Sequence, residues 1–339
     1  MKVCLLTRTT NLGSGGVGRV GKELYGGLKK RGVDITLITS SDIPYFNPYS
    51  YLIYTLMELP IRLLRIKADI YHALTPMEGM WSPGDKSIVT VLDLFMISDK
   101  DKIGATMGQS RLKAFIGSRY FEFVSGMALR KASGIACISE KTSNDLMQIF
   151  GLSSRTIRLG IRGDLEPKRE RSRISRIGYL GQLDRRKRVD VLIKAFKKSE
   201  PGIELIIGGI GVDEAYLKSL AKGDGRIRFL GHIKDEELVD FYNSMDVLIS
   251  PSWIEGYGLP IVEAMACKRP VVVLDDALIP WEIKKRCIIV QNLDMVLQNR
   301  TYLENLCTYS SYGSNYEWAK EHTWDKCIEE YIKLYKEIL

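Results

Sequence analysis

The chain has 339 residues, 45% of them hydrophobic and 27% charged, with 49 Lys+Arg against 41 Asp+Glu. That length accommodates two domains of ordinary size, and the apolar share excludes a disordered chain. Six cysteines (Cys4, Cys137, Cys267, Cys287, Cys307 and Cys327) without a C-x-x-C pair exclude a zinc ribbon and a compact disulfide framework, and fit a reducing, cytoplasmic compartment.

The first half reads as alternating strands and helices. "KVCLLT" is a buried-strand run, and "GRVGKELYGGLKKRG" sets Val20, Leu24 and Leu28 on one helical face before Gly32. "DITLITS", "ADIYHALT" (68–75), "SIVTVLDL" (87–94) and "ASGIACIS" (132–139) read as strands, and "EKTSNDLMQIF" (140–150) as a helix ending before Gly151. This rhythm implies a parallel sheet covered on both faces. The charged run "EPKRERSRISR" (166–176) lacks an apolar stripe and reads as a linker.

After it the rhythm restarts. "IGYLG", "IELIIGG", "IRFLG", "DVLISPS" and "PVVVLD" are strand runs, separated by the helical runs "RVDVLIKAFKK", "DEAYLKSLAK" and "DEELVDFYNSM". "TWDKCIEEYIKLYKEIL" (323–339) is a closing helix, expected to cross back to the first domain. The expected architecture is α/β: two Rossmann-like doubly wound domains, 1–165 and 177–322, facing across a cleft. "MKVCLLT" is too short for a signal peptide, and no window reaches about 18 apolar residues without a charge. The nearest, 49–64, contains Glu58, Pro60 and Arg62, so the chain is expected to be soluble, or peripheral at a membrane at most.

Charge is uneven. Residues 1–165 carry 22 Lys+Arg against 14 Asp+Glu, and the remainder carries 27 against 27. A basic first half suits an anionic partner: nucleic acid, a phospholipid surface or a phosphorylated acceptor. A solvated basic face is the plain alternative. "GQSRLKAFIGSRYFEFVSGMALRKA" (108–132) alternates Arg and Lys with Phe, Tyr, Leu and Met, as an interfacial amphipathic helix does, or as a core helix with solvated arginines does.

Four stretches offer chemistry. "EGYGLPIVEAM" (255–265) places Glu255 and Glu263 around a Gly-Tyr-Gly-Leu-Pro turn. Pro260 suits a first helical turn, whose free N–H groups and dipole favour a diphosphate. The two carboxylates can act as an acid and a nucleophile, as in glycoside hydrolysis, or can hold sugar and ribose hydroxyls. A capped strand-to-helix turn is the bland reading. "GQLDRRKRVD" (181–190) sets Lys187 among Arg185, Arg186 and Arg188 soon after a strand, where cations neutralise a leaving phosphate, or merely decorate a surface turn. "GSGGVG" (13–18) fits G-x-G-x-x-G, a weak signal that leaves a dehydrogenase formally open. "GGIG" (208–211) and "FLGHI" (229–233) follow strands, and His232 there is a candidate for a base edge. His72 is either packing or chemistry, and His322 looks structural. No Ser-His-Asp set, H-E-x-x-H or P-loop can be assembled, and the Asp275-Asp276 pair lacks a second acidic cluster, so no obligatory metal is expected.

Together these residues resemble the retaining, nucleotide-sugar-dependent glycosyltransferases of family 4 (glycosyltransferase group 1), which have the GT-B fold. The resemblance spans nearly the whole chain and is strongest over 178–290, where "FLGHIKDEELVDFYNSMDVLISPSWIEGYGLPIVEAMACKRPVVV" and its E-x7-E spacing stand. It implies that Glu255 contacts the donor sugar and that Glu263 holds the ribose. It further implies that Tyr257, Gly258 and Leu259 offer N–H groups to sugar and phosphate, and that Lys187 pairs with the diphosphate. The backbone at His232 and Ile233 would read the base, and Gly15 and Gly16 would lie near the diphosphate and acceptor. Gln182 and Arg186 join the donor-side candidates, and Arg19, Asp93 and Ser139 the acceptor side. The expected partners are a UDP- or GDP-linked sugar and a glycan or lipid-linked acceptor, with no nucleic acid; the basic first half and the 108–132 stretch, rather than the resemblance, add an anionic membrane surface as a candidate partner of the first domain.

Three departures stand out. Gln182 replaces the Arg usual beside that glycine, Leu92 replaces the His of "T-V-H-D-L", and "RLGIRGD" (158–164) lacks the usual Asn. Leu92 is expected to reflect a donor without a typical 6-hydroxyl, or a contact supplied from elsewhere. A nucleotide-sugar epimerase of the same fold, or a non-catalytic sugar-nucleotide binder marked by Gln182 and Leu92, are the alternatives.

Overall fold

The computed structural model describes residues 1–10, 15–40, 53–99, 111–168, 173–308 and 312–339. The chain divides into two compact units, Met1–Gly160 with Trp324–Leu339, and Ile161–Thr323.

Unit 1 holds a six-stranded parallel sheet in the order β2-β1-β3-β4-β5-β6. The strands are β1 (Lys2–Thr7), β2 (Asp34–Thr39), β3 (Ile70–Ala73), β4 (Ser87–Val91), β5 (Gly134–Cys137) and the short β6 (Arg155–Thr156). β3 and β4 are buried along their whole length, as strands covered on both faces must be. The helix Trp324–Ile338 belongs to this unit. Gly27 lets it approach the helix Gly15–Lys30, because a β-carbon there would lie 1.9 Å from Ile328 Cδ1.

His72 ties the same helix to the sheet. The ring is fully buried, with Nδ1 2.7 Å from the Tyr335 hydroxyl and Nε2 2.7 Å from Thr90 Oγ1, and Thr90 in turn meets the Tyr331 hydroxyl at 3.0 Å. Burial lowers its pKa from 6.5 to about 3, so the ring stays neutral. Its role here is packing.

Unit 2 holds β7 (Arg176–Leu180), β8 (Glu204–Gly208), β9 (Ile227–Gly231), β10 (Val247–Ser250), β11 (Val271–Leu274) and β12 (Ile288–Val290). All are parallel, in the order β12-β11-β10-β7-β8-β9. Read from the first strand of the unit this is the doubly wound order 3-2-1-4-5-6, whose switch point lies between β7 and β10. Ile177, Tyr179, Leu205, Ile207, Val247 and Ile249 pack from these strands into the core of the unit.

The expected 166–176 linker departs from the structure at both ends. Leu165 is buried, Lys168 N–H donates to Asn243 Oδ1 at 2.6 Å, and Ile174 is fully buried. The Asp246 carboxylate captures the N–H groups of Ser175 and Arg176, both at 2.8 Å. Those bonds fasten the charged run to unit 2, and residues 169–172 within it lie outside the described residues. The division therefore falls at Gly160/Ile161 rather than after 165. Among the described residues no helix is long and apolar enough to cross a membrane.

Candidate active site

The loops on either side of the switch point carry the strongest candidates. After β7, Asp184 caps a single tight turn, Arg185–Lys187, its carboxylate accepting the Lys187 N–H at 3.2 Å. After β10 the chain runs through 251–258 to Gly258, whose φ of 97° opens the helix Leu259–Ala266. Glycine meets that left-handed geometry without the clash of a β-carbon. Pro260 sits in the first turn, where an N–H would lack a helical partner in any case. The Ile261 N–H folds back onto the Gly258 carbonyl at 2.9 Å. The switch point thus presents a helix start of the kind that holds anions.

Into it project two opposite charges. Lys187 Nζ donates to Glu255 Oε1 at 2.5 Å, and each side chain is 12% exposed. Burial lowers the Lys187 pKa, opposed by the neighbouring carboxylate. Burial alone would raise Glu255, but the charges of Lys187 and Arg186 and the hydrogen bonds of Lys187 and Ser252 hold its carboxyl below the ordinary value. The two groups form an ion pair partly withdrawn from water.

Glu263, on the helix Leu259–Ala266, is 4% exposed, and its Oε2 accepts the Tyr242 hydroxyl at 2.6 Å. Tyr257 is buried and Leu259 half-buried. Arg186 Nη1 donates to the Ile254 carbonyl at 3.1 Å, and the Gln182 carbonyl accepts the Tyr179 hydroxyl at 2.9 Å. His232 is exposed just past β9, while Ile233 packs so near Gly208 that a β-carbon there would be 2.9 Å from Ile233 Cγ1. The turn after β8 is pressed onto the turn after β7: a β-carbon on Gly209 would fall 1.8 Å from the Gly181 carbonyl oxygen.

The remaining candidates belong to unit 1. Gly15, with φ 72°, and Gly16 begin the helix Gly15–Lys30, while residues 13–14 of the glycine-rich stretch lie outside the described residues. Arg19 Nε is 3.9 Å from Glu23 Oε1, a turn along the same helix. Asp93 and Leu92 are half-buried after β4. Ser139 is fully buried and caps the helix Glu140–Phe150, its Oγ accepting the Thr142 N–H at 3.2 Å. His322 belongs instead to unit 2, where its Nδ1 lies 2.7 Å from the Trp318 carbonyl oxygen.

Sequence reasoning missed two partners. Tyr242 faces Glu263 from a separate helix, a pairing no local pattern announces. Asp276 makes a bidentate ion pair with Arg188, at 2.7 and 2.8 Å. The "RRKR" and "DD" runs hold both residues, but nothing in their spacing joins them. Among the described residues no group of three or more His, Cys, Asp or Glu side chains is placed to hold a metal ion.

Residues 165–286 match the family model of glycosyl transferases group 1. The chain is 25% identical over 244 residues to the O-antigen chain mannosyltransferase B of Escherichia coli, covering 64% of each chain. It thus spans just under two thirds of that relative's length. Among solved structures, it resembles a sucrose-phosphate synthase from Thermosynechococcus elongatus, with a TM-score of 0.77 at 16% identity over 100% of this chain and 99% of that one. It also resembles Anabaena HepE, solved with UDP and glucose, with a TM-score of 0.72 at 17% identity over 98% and 99%.

Proposed function

We propose that this chain, which belongs to the group 1 glycosyltransferases and has their GT-B fold, transfers a hexose from a UDP- or GDP-linked sugar to an acceptor hydroxyl with retention at the anomeric carbon. The observation that carries this reading is the largely buried Lys187–Glu255 pair, each side chain 12% exposed, beside the start of the helix Leu259–Ala266. The pair supplies a cation for the diphosphate and a carboxylate for sugar hydroxyls. The named ligands of the Anabaena structure, UDP and glucose, are of the same class.

As the bond between the anomeric carbon and the diphosphate breaks, negative charge builds on the departing phosphate oxygen. Lys187 and the helix start stabilise it. The acceptor hydroxyl attacks from the face the phosphate leaves and gives its proton to that phosphate, so no protein nucleophile is required. Glu255, kept ionised by Lys187, orients the sugar rather than attacking it. Glu263, fixed by Tyr242, orients the ribose.

The acceptor is a glycan or a lipid-linked saccharide at a membrane surface. The name of the Escherichia coli relative fits a glycan acceptor. Unit 1 supplies the surface. Ile53, just before the turn and helix spanning 54–64, and Met57, Ile61 and Leu64 within them are all more than half exposed and recur every three or four residues. Ile116, Tyr120, Phe123 and Met127 recur every three or four residues on the helix Arg111–Lys131, with Arg119, Arg130 and Lys131 also exposed on it. Exposed apolar rows with flanking cations suit an anionic bilayer interface. Residues 108–110 of that basic stretch lie outside the described residues.

A thermal-shift and hydrolysis panel of UDP- and GDP-sugars tests the reading. A true donor at about 100 times its Kd stabilises the protein by about 2.7 kcal/mol. A panel in which no nucleotide sugar shifts the melting temperature or is turned over refutes it.

A further inference from the structure

We infer that Arg188, anchored by Asp276, is a positioning residue that holds Lys187 against Glu255. This rests on the function proposed above for that pair. The two arginines flanking Lys187 grip four consecutive residues that lead into Glu255. The Arg186 carbonyl accepts the Trp253 N–H at 3.0 Å, and Arg186 Nη1 donates to the Ile254 carbonyl at 3.1 Å. From the other side, Arg188 Nε donates to the Pro251 carbonyl at 2.7 Å and Nη2 to the Ser252 carbonyl at 3.3 Å. The register between the loop after β7 and the loop after β10 is therefore set on both sides of the cation.

Two features show that Arg188 is held there against a cost. Its backbone has φ 51° and ψ 35°, left-handed geometry unfavourable for a residue with a β-carbon. Its side chain is only 19% exposed, although that of its partner Asp276 is 59% exposed. The bidentate pair fixes the guanidinium plane, and that plane aims Nε at Pro251. Asp276 lies on the loop after β11, and the same loop sends Leu278 to bond Trp253 O and Glu255 N at 2.7 and 3.1 Å. Three loops thus converge on the segment preceding Glu255, and the Arg188 side chain touches the two that face its own.

Arg188→Gly tests this well, because glycine adopts φ near 50° freely and the turn survives while the staple is lost. Asp276→Asn is the milder companion, since it weakens the anchor without touching the turn. The first readout needs no donor: acetylation of Lys187 by acetic anhydride, followed by peptide mass spectrometry, with exposed Lys194 and Lys333 as internal references. Arg188→Gly should raise Lys187 labelling several-fold with the references unchanged, and Asp276→Asn should raise it by less. The second readout is hydrolysis of whichever UDP- or GDP-sugar the wild type turns over. Here kcat should fall by about 10- to 100-fold while the donor KM stays within about threefold, and the double variant should be no worse than Arg188→Gly.

A lowered melting temperature with unchanged Lys187 labelling and unchanged kcat would overturn the inference, leaving Arg188 a purely structural residue. So would additive losses in the double variant. If the wild type turns over no nucleotide sugar, the proposed function fails, and the labelling alone decides the positioning claim.

Discussion

Glu255→Gln isolates the electrostatics of the site. The substitution keeps the shape of the side chain and strands the Lys187 ammonium, which has 12% exposure and a 2.5 Å partner to lose. Breaking a buried pair by removing one member costs about 3–5 kcal/mol, and the residual exposure places this case near 3 kcal/mol at neutral pH. Lys187 already has a pKa below its ordinary 10.5, and Glu255 is the largest influence raising it. In the variant that support is gone and the pKa falls further. Between the folded value and 10.5 the unfolded chain holds more protons than the folded one, so stability rises with pH across that window. The variant should recover by up to about 1.4 kcal/mol per pH unit as the amine sheds its proton. Lys187→Met is the mirror case: Glu255 loses the cation that lowers it, burial raises it, and stability recovers as pH falls. The double variant should lie within about 1 kcal/mol of wild type, because neither charge is then stranded. Urea unfolding followed by circular dichroism at about pH 5, about pH 7 and about pH 9.5 measures all four proteins, the acid arm reading Lys187→Met and the alkaline arm Glu255→Gln. Additive single losses, with no pH dependence in either, would refute the account of a coupled buried pair.

Three further outcomes follow from other parts of the molecule. His72 has a folded pKa of about 3 against 6.5 unfolded, so the unfolded chain holds more protons in that range and stability is lost as the pH falls. Wild type should lose roughly 1.5 kcal/mol between about pH 6.5 and pH 5 that His72→Asn does not, a difference read from denaturation at both pH values. Gly209→Ala forces a β-carbon onto the Gly181 carbonyl oxygen at a φ of 123°; it should cost about 3–5 kcal/mol or abolish soluble expression, whereas Gly16→Ala, with nothing within 4 Å, should be mild. Leu64→Asp with Phe123→Asp should weaken co-sedimentation with anionic vesicles by about tenfold or more, since each buried apolar side chain contributes about 1.5–3 kcal/mol. Unchanged sedimentation would remove the membrane surface from the proposal.

The strands were legible because both sheets are parallel and covered. Runs such as "KVCLLT" and "DVLISPS" are nearly continuous apolar segments, and β1 and β10 fall within them. The two loops of the site were legible for a similar reason: the glycines and Pro260 reveal a turn into a helix, and Lys187 follows a strand. What sequence could not give was pairing between distant segments. That Lys187 and Glu255 meet depends on β7 and β10 being neighbours, a consequence of strand order rather than local pattern. The pairings of Tyr242 with Glu263 and of Asp276 with Arg188 are hidden in the sequence for the same reason. The charged run 166–176 reads as a linker because it lacks an apolar stripe, whereas Asp246 and Asn243 collect its backbone N–H groups. Arg188 looked like one cation among four, and only its positive φ and its grip on Pro251 and Ser252 distinguish it.

The most direct measurement of the central claim is release of UDP or GDP from a sugar nucleotide by the purified chain, with Lys187→Ala in parallel. Lys187 is assigned the charge on the departing phosphate, so its loss should lower kcat by about 100- to 1,000-fold while the protein stays folded. Turnover by Lys187→Ala within a few-fold of wild type would contradict that assignment.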